Sequence, residues 1–344
     1  MAPDSLYNSA TPLDPADLTV RLMEIDSTTG REGEVVAWLD ELLSGRGWHT
    51  RRIPVTAGRD DLLATGGEPA AITLSTHLDT VPPFIAPRRD GNRIFGRGAC
   101  DAKGIAAAMV CAAERARERG VLVGLLFVVG EEVSHDGAHA ANAFAEEHGA
   151  PSKVLINGEP TESTLALGTK GAIRVTLRTT GKAAHSAYPH LGHSATRDLV
   201  QLLSELDALE LPRDELLGDT TVNIGHLFGG VADNVVAPWA EARLMIRLVT
   251  PVADVQPIVE RWAAGRASVE WGVMAPAVRL GVVPGFPTSV AAFATDIPAL
   301  TAWGRPYLFG PGSIHVAHRD DEFVDVPELE KAVGAYQRLV DALK

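Results

Sequence analysis

The chain has 344 residues, of which 46% are hydrophobic and 22% are charged, and its formal net charge at pH 7 is −13. This length favours two domains, because a single hydrophobic core rarely grows beyond about 250–300 residues. The negative charge argues against binding to nucleic acid or to an anionic membrane surface. Two cysteines, Cys100 and Cys111, argue against a disulfide framework and favour a reducing, cytoplasmic location.

The first residues of the chain are polar and precede two helical patterns. Residues 1–15 contain three prolines and lack the basic and apolar regions of a signal peptide, so we expect a loose tail. Two helices are predicted next, Pro15–Glu24 with Asp14 as its N-cap and Glu32–Ser44. No uninterrupted apolar stretch of about 18 residues is present, so no transmembrane helix is expected.

In the first half of the chain, apolar runs typical of buried strands alternate with helical patterns. The predicted strands are Trp48–Val55, Asp61–Ala64, Ala71–Leu74, Arg93–Gly96, Leu122–Val129 and Val154–Ile156, and the predicted helices are Ile105–Arg119 and Gly137–His148. This alternation predicts an α/β domain built on a doubly wound, mostly parallel sheet.

The pattern changes after residue 169. Predicted strands are Ala172–Thr179, Thr221–Phe228, Ala240–Val249 and Ala267–Val273, and predicted helices are Ser194–Leu209 and Val252–Ala264. The order βαββαβ predicts an inserted α+β domain of the ferredoxin-like type over residues 170–280. Residues 281–344 are predicted to rejoin residues 1–169, with strands Ser289–Ala294 and Tyr307–Phe309 and a final helix Pro327–Leu343.

Acidic and histidine residues follow three of the apolar strands of the first domain. His77 and Asp79 come after one strand, Glu131 and Glu132 after the next, and Glu159 after the third. Open α/β sheets place ligands at the carboxyl ends of their strands. A histidine there can bind a metal through one ring nitrogen while Asp79 accepts a hydrogen bond from the other. The recurrence predicts a metal site along this edge of the sheet.

Five motifs in this order resemble those of the dinuclear zinc peptidases of family M20, and the resemblance covers essentially the whole chain. They are H-L-D at 77–79, G-R-G-A-C-D-A-K-G at 96–104, E-E at 131–132, G-E-P-T at 158–161 and A-H-R-D-D-E at 317–322. This family includes acetylornithine deacetylase, succinyl-diaminopimelate desuccinylase, carboxypeptidase G2 and LysW-lysine hydrolase.

The resemblance implies two Zn²⁺ ions per subunit, with Co²⁺ or Mn²⁺ as alternatives because carboxylate-rich sites are permissive. It implies that His77 and His318 each bind one ion and that Asp101 bridges both. Glu132 and Glu159 would supply the remaining carboxylate ligands, one for each metal. Mixed histidine and carboxylate ligands with open positions are typical of catalytic zinc.

The resemblance also assigns residues that do not bind metal. Asp79 would orient His77, and Glu131 would act as the general base. The peptide bond Asp101–Ala102 would be cis. Two metals lower the pKa of bound water toward about 7, and a carboxylate that is not a ligand must then take the proton.

Two motifs of the inserted domain resemble the lid and dimerisation domain of the family. His185 lies in G-K-A-A-H-S-A-Y-P, and the resemblance implies that it stabilises the oxyanion in the partner's site of a homodimer. The alternative is a surface loop histidine. Asn234 lies in G-G-V-A-D-N-V-V-A-P and resembles an asparagine that contacts substrate across the dimer.

Three further residues are candidates for substrate binding. Arg247 resembles an arginine that binds a substrate carboxylate, a task that suits a planar guanidinium, although it could equally be a surface charge on a strand. Gly312 and Ser313 belong to a glycine-rich turn whose main-chain N–H groups could bind a carboxylate.

The resemblance therefore implies a cytoplasmic, homodimeric hydrolase that cleaves the amide of a small N-acyl amino acid. The short length and the sequence before His318 favour the acetylornithine deacetylase or LysW-lysine hydrolase branch. One alternative is a dipeptidase or carboxypeptidase of the same family acting on a short peptide, and an acidic group for a substrate amine would favour an aminopeptidase. Another is a metal-containing binding protein without catalysis, against which Glu131 argues because binding alone needs no base.

Overall fold

A computed structural model describes residues 11–67, 70–149 and 152–344. It divides into two units: the first extends to Leu167 and includes Leu280–Ser289 and Thr295–Lys344, and the second comprises Gly168–Arg279 and Val290–Ala294. The tail predicted over residues 1–15 lies, for its first ten residues, outside the described part of the chain. No helix of the described residues is long and apolar enough to cross a membrane.

The helices and strands follow one another largely where the sequence patterns predict them. The helices are α1 Pro15–Met23, α2 Gly33–Gly45, α3 Lys103–Glu118, α4 Asp136–His148, α5 Ala195–Leu203, α6 Val252–Ala263 and α7 Val326–Leu343. The strands are β1 His49–Thr56, β2 Arg59–Thr65, β3 Ile72–His77, β4 Arg88–Asp90, β5 Arg93–Phe95, β6 Val123–Val128, β7 Val154–Asn157, β8 Leu165–Thr169, β9 Gly171–Thr180, β10 Arg213–Asp214, β11 Gly218–Asp219, β12 Thr221–Gly229, β13 Trp239–Leu248, β14 Ser268–Ala275, β15 Val278–Arg279, β16 Thr288–Ala291, β17 Arg305–Leu308 and β18 Phe323–Asp325.

The main sheet of the first unit has six strands in the order β1-β2-β6-β3-β7-β17. Strands β6, β3, β7 and β17 are parallel, whereas β1 and β2 run antiparallel to each other and β2 runs antiparallel to β6. The sheet is therefore mixed. The short turn at residues 57–58 makes β1 and β2 antiparallel, because parallel neighbours need a much longer crossover.

Both faces of this sheet are covered by helices, as the doubly wound prediction requires. In β6, Leu125 and Phe127 pack into the core that contains α1, α2, α3 and α7, whereas Leu126 and Val128 pack into the core that contains α4. Successive side chains of a strand point to opposite faces, so a strand covered on both sides must be apolar throughout. All six residues of β6 are buried.

The second unit contains a four-stranded antiparallel sheet in the order β12-β13-β9-β14, with α5 and α6 in its core. Alternate residues of β9, Ile173, Val175 and Leu177, pack against these helices. Helix α5 ends earlier than predicted, at Leu203. The Ser204 hydroxyl donates to the main-chain oxygen of Gln201 at 2.7 Å, and such local bonds compete with continuation of a helix.

Two further features differ from the sequence prediction. Val290–Ala294 belongs to the second unit and not to the first, because the main-chain N–H of Lys170 donates to the oxygen of Ala291 at 3.0 Å. The structure also contains a small sheet in the order β18-β5-β4, of which only β5 was predicted. Its other two strands have only three residues each, too few for an alternating pattern to be recognised.

Candidate metal centre

The sheet register brings the polar residues at three strand ends to one edge. His77, the last residue of β3, pairs with Val128 of β6, and Ser75 pairs with Asn157 of β7. The segments that carry the two glutamates 131–132 and Glu159 therefore leave the sheet beside His77 and Asp79. This is the carboxyl edge, at which open α/β sheets bind ligands.

Two groups of possible metal ligands share the carboxylate of Asp101. The first group is His77, Asp101 and Glu159, the second is Asp101, Glu132 and His318, and in each the donor atoms lie within 4.8 Å of one another. Asp101 Oδ1 lies 3.0 Å from His77 Nε2, and Oδ2 lies 3.3 Å from His318 Nε2. Each oxygen thus serves a different group, which is the arrangement that a bridging carboxylate requires.

The five residues predicted as metal ligands are all in these two groups, and their chemistry fits divalent ions. One imidazole and carboxylates in each group suit zinc, and neither group fills a complete coordination shell with protein atoms. Glu132 Oε1 lies 3.0 Å from His318 Nε2. His318 has a positive φ of 64°, so its backbone is left-handed where the ring turns toward the site.

A buried carboxylate that was not predicted from the sequence holds Asp101 in place. Glu322 Oε1 accepts the main-chain N–H groups of Cys100 at 3.1 Å and Asp101 at 3.2 Å, and Oε2 accepts from Arg97 at 2.8 Å. The bond Asp101–Ala102 is cis, as the resemblance implies. Glu322 belongs to the motif 317–322. The residues that it contacts lie over 200 residues away in the chain, so the motif alone did not reveal that Glu322 holds Asp101.

Asp79 contacts His77, as predicted, and also holds a neighbouring segment. His77 Nδ1 lies 3.0 Å from the main-chain oxygen of Asp79 and 3.4 Å from its Oδ1. The carboxylate also accepts the main-chain N–H groups of Glu131 at 3.1 Å and Glu132 at 3.2 Å, together with the hydroxyl of Thr29 at 2.8 Å. Asp79 therefore orients His77 mainly through its backbone and fixes the segment that carries both glutamates.

The electrostatics favour cationic groups between the carboxylates. Burial opposes a charged His77, but hydrogen bonds to Asp101 and Asp79 raise its pKa well above the usual range. Hydrogen bonds to Asp101 and then Glu132 raise the pKa of His318 to about 10. Although burial acts against it, the pKa of Asp101 is lowered by the same two histidines.

Glu131 belongs to neither ligand group. Its side chain is 12% exposed, and burial together with the charges of Glu159 and Asp296 raises its pKa well above the usual range. His135 Nδ1 lies 3.9 Å from Glu131 Oε1 and 2.8 Å from Asp296 Oδ1. Neither neighbour was predicted from the sequence. The four-residue spacing from Glu131 could have suggested His135, whereas no local pattern existed for Asp296.

In the glycine-rich turn, one of the predicted substrate-binding N–H groups, that of Gly312, is already used within the protein. The main-chain N–H of Gly312 donates to Glu328 Oε1 at 3.0 Å, so it is not available to a substrate carboxylate. The Ser313 hydroxyl donates to Glu162 Oε1 at 2.6 Å. This serine is close to the metal ligands, because its main-chain oxygen lies 3.8 Å from Cys100 Sγ, next to Asp101 in the chain.

The remaining predicted residues lie in the second unit. His185 and Asn234 are on adjacent segments, since His185 and Val235 form a β-bridge and the N–H of Ser186 donates to the oxygen of Asn234 at 2.9 Å. Arg247 is in β13, and burial lowers its pKa. Within the described ranges, its guanidinium has no hydrogen bond or ion pair.

A parallel sheet edge with two ligand groups that share one carboxylate is typical of metal-dependent hydrolases. The chain belongs to peptidase family M20/M25/M40, whose model matches residues 73–342. It is 37% identical to a probable carboxypeptidase of Aspergillus clavatus, over 93% of this chain and 80% of the relative.

Solved structures share the fold at low sequence identity. Aminopeptidase PepT from Bacillus cereus superposes with a TM-score of 0.79 at 20% identity, covering 98% of this chain and 100% of that chain. A Bacillus subtilis protein described as a dinuclear metal binding peptidase of the M20 family superposes with a TM-score of 0.69 at 16% identity, covering 95% and 96%.

These comparisons correct the functional interpretation of the sequence. The chain is an M20 peptidase-type hydrolase, and the curated relative that it matches over most of its length is named a carboxypeptidase. The acetylornithine deacetylase or LysW-lysine hydrolase interpretation is not supported. The alternative, a carboxypeptidase or dipeptidase, fits better. The motifs that indicated the family surround the metal centre and do not distinguish substrates, which explains the error.

Loading the metal-free protein with zinc should release protons. Both ligand histidines are cationic near pH 7 without metal, because the pKa of His318 is about 10 and that of His77 is raised well above its usual range. Zinc binds neutral imidazole and ionised carboxylate, and burial also raises the pKa of the ligand Glu159 well above its usual range. Filling the centre should therefore release at least about two protons per subunit at pH 7. The affinity for zinc should therefore rise with pH until the pH exceeds the pKa of His318.

Titration calorimetry in buffers of different ionisation enthalpy measures this number. His318→Asn, which tolerates the left-handed backbone, should release about one proton fewer than the natural protein. Exposed His139→Asn is the matched control and should leave the number unchanged. Zinc binding with no dependence on buffer enthalpy would show that the ligand histidines are neutral before metal binds.

Proposed function

We propose that this protein is a metal-dependent carboxypeptidase that removes the C-terminal residue from short peptides. The observation that carries the proposal is the placement of Glu131 beside two ligand groups that share Asp101. A binding site needs the ligands but has no use for a buried carboxylate that is not a ligand. The carboxypeptidase name of the Aspergillus clavatus relative supports this substrate class.

We propose two divalent ions at this centre, one in each ligand group, with zinc as the preferred metal and Co²⁺ or Mn²⁺ as alternatives. The Bacillus subtilis neighbour, itself described as a dinuclear metal binding peptidase, supports this number. When bound, the ions supply polarisation of the scissile carbonyl and a water molecule that loses its proton near neutral pH.

Glu131 is the group that moves the proton in this proposal. It takes a proton from the attacking water and donates it to the leaving amine. Burial, together with the charges of Glu159 and Asp296, raises the affinity of Glu131 for a proton, which suits the first half of that task. Asp79 keeps the carboxylate in position through the main-chain N–H groups of Glu131 and Glu132.

Four residues are proposed to contact the substrate. We propose that Arg247 binds the C-terminal carboxylate of the substrate, because its guanidinium is half-buried and carries no ion pair among the described residues. His185 as the oxyanion stabiliser, and Asn234 and Ser313 as substrate contacts, are proposals that rest on the family resemblance. A cytoplasmic location likewise stays a prediction from the sequence.

A homodimer formed through the second unit is also proposed. Strand β12 is at the edge of its sheet and is mostly exposed, with Ile224 at 42%, Leu227 at 52% and Phe228 at 45%. A long apolar edge strand offers unpaired main-chain groups to a second strand and is usually covered in stable proteins. A second copy of the same strand would cover it symmetrically.

An aminopeptidase is the second candidate, and one residue favours it. Glu162 is an exposed carboxylate on the segment that follows Glu159, and it accepts a hydrogen bond from Ser313. An acidic group near the metal centre could bind the free amine of a peptide. The fold shared with aminopeptidase PepT agrees with either candidate.

The first experiment is a hydrolysis screen of zinc-loaded protein with three matched sets of short peptides: N-blocked with a free carboxylate, C-terminally amidated with a free amine, and N-acetyl amino acids. A carboxypeptidase should prefer the first set. Glu131→Gln should lower kcat by about 10²- to 10⁴-fold in every active set while zinc content is unchanged. Exposed Glu118→Gln is the control.

Each alternative has a distinct result in this screen. Preference for amidated peptides with a free amine would favour the aminopeptidase, and turnover of N-acetyl amino acids alone would favour a deacylase. Full zinc occupancy without turnover of any compound would favour the third alternative, a metal-containing binding protein without catalysis.

Replacement of Arg247 by Met should raise KM for peptides with a free C-terminal carboxylate by about 10- to 100-fold, because a charged hydrogen-bonding pair is lost. The kcat should change much less. Arg243→Met, on the same strand but exposed and paired with Glu241, is the matched control. Equal KM values for Arg247→Met and Arg243→Met would remove Arg247 from the substrate site.

Leu227→Asp should weaken the dimer by about tenfold or more, because it buries a charge in the proposed apolar interface. Sedimentation velocity over a range of protein concentrations measures this change. Val273→Asp, at the opposite edge strand and 66% exposed, should leave dimerisation unchanged. A natural protein that stays monomeric at tens of micromolar, about the range of weak dimers, would contradict the proposal.

A further inference from the structure

A third group of possible metal ligands lies beside the metal centre, and it contains the residue assigned above as the base. We propose that Glu131, His135 and Asp296 form a zinc-binding site whose occupation inhibits the enzyme. The donor atoms of these three residues lie within 4.8 Å of one another, and none of the three belongs to the two groups that share Asp101. The inhibitory effect rests on the proposed function, whereas zinc binding at this site does not.

The distances within the group are close to those of a metal site. His135 Nδ1 lies 2.8 Å from Asp296 Oδ1 and 3.9 Å from Glu131 Oε1. Ligand atoms at about 2.0–2.1 Å from a tetrahedral zinc are separated by about 3.3 Å, between these two values. One imidazole and two carboxylates make a three-ligand site with an open position, a composition that zinc accepts.

The backbone places Glu131 and His135 on the same side of a tight turn. The main-chain oxygen of Gly130 accepts the N–H groups of Ser134 at 3.0 Å and His135 at 2.8 Å, which closes the turn before α4. His135 is the N-cap of α4 and has a left-handed backbone with φ of 55°. The positions of these two ligand residues are therefore set by the main chain.

The surroundings of the group are rich in buried carboxyl groups. Asp296 is 1% exposed. Asp61 is fully buried, and within the part of the chain that the structure describes its Oδ2 has no hydrogen-bond partner. Burial raises the pKa of Asp61 well above its usual range, and the charges of Asp296 and Asp136 add to this effect. The guanidinium of Arg59 pairs with Glu32 and Asp136, so it does not satisfy the free oxygen of Asp61.

A cation bound by the three residues would change what Glu131 can do. The imidazole of His135 would have to be unprotonated at Nδ1, so zinc would displace the proton now shared with Asp296. A carboxylate that is bound to zinc no longer accepts a proton from water. Excess zinc should therefore inhibit hydrolysis without displacing the two ions of the main centre.

The test is a parallel measurement of zinc content and activity. The full-length protein is dialysed against rising concentrations of ZnCl₂, and zinc per subunit is measured by atomic emission. The natural protein should bind about three ions and lose activity as the third binds, whereas His135→Asn should bind about two, because a ligand is lost. When activity is expressed relative to that of the same protein with two ions, the zinc concentration that halves it should rise at least about tenfold in His135→Asn.

Two comparisons make the experiment decisive. His139→Asn, the same change at an exposed position in α4, should behave as the natural protein does. Asp296→Asn removes a different ligand and should also lose the third ion. This second variant keeps the proposal testable if His135→Asn does not fold.

Retention of the third ion in both ligand variants, or equal zinc inhibition in His135→Asn and the natural protein, would overturn the proposal. Specific loss of the third ion in a protein that hydrolyses none of the peptides would support the zinc site and contradict the proposed function.

Discussion

The structure of the centre depends on the carboxylate of Asp101 having one oxygen for each histidine. Oδ1 faces His77 and Oδ2 faces His318, and these residues come from distant parts of the chain. Glu322 fixes the orientation of Asp101. It accepts the main-chain N–H groups of residues 100 and 101 and is itself paired with Arg97. A buried carboxylate without such partners would cost several kcal/mol, so Arg97 and Glu322 stabilise the fold and the site together.

Asp79 provides the same kind of support for the other side of the centre. Its two oxygens bind the consecutive N–H groups of Glu131 and Glu132, so these neighbours are held in an irregular segment in which their side chains diverge. Glu132 joins His318, whereas Glu131 turns toward His135 and Asp296. A ligand and a non-ligand carboxylate can thus be adjacent in sequence and still have different chemical roles.

The sequence predicted the elements and the ligand residues because both leave local patterns. Apolar runs such as 122–129 predict buried strands, and polar residues directly after them predict a site at the sheet edge. The pairing between Glu322 and Asp101 and the occupation of the Gly312 N–H by Glu328 were not predictable, because they depend on tertiary contacts. The substrate was also misjudged, since the motifs describe the metal centre, which related hydrolases share.

Glu131 shows why burial has two consequences at such a centre. Removing a carboxylate from water and placing it near Glu159 and Asp296 strengthens its hold on a proton, which a general base needs. The same carboxyl oxygens are potential metal ligands once they lose the proton, and His135 supplies a nitrogen 3.9 Å away. A proton and a metal ion compete for the same oxygens. The arrangement that makes Glu131 a good base therefore also makes it sensitive to metal in excess.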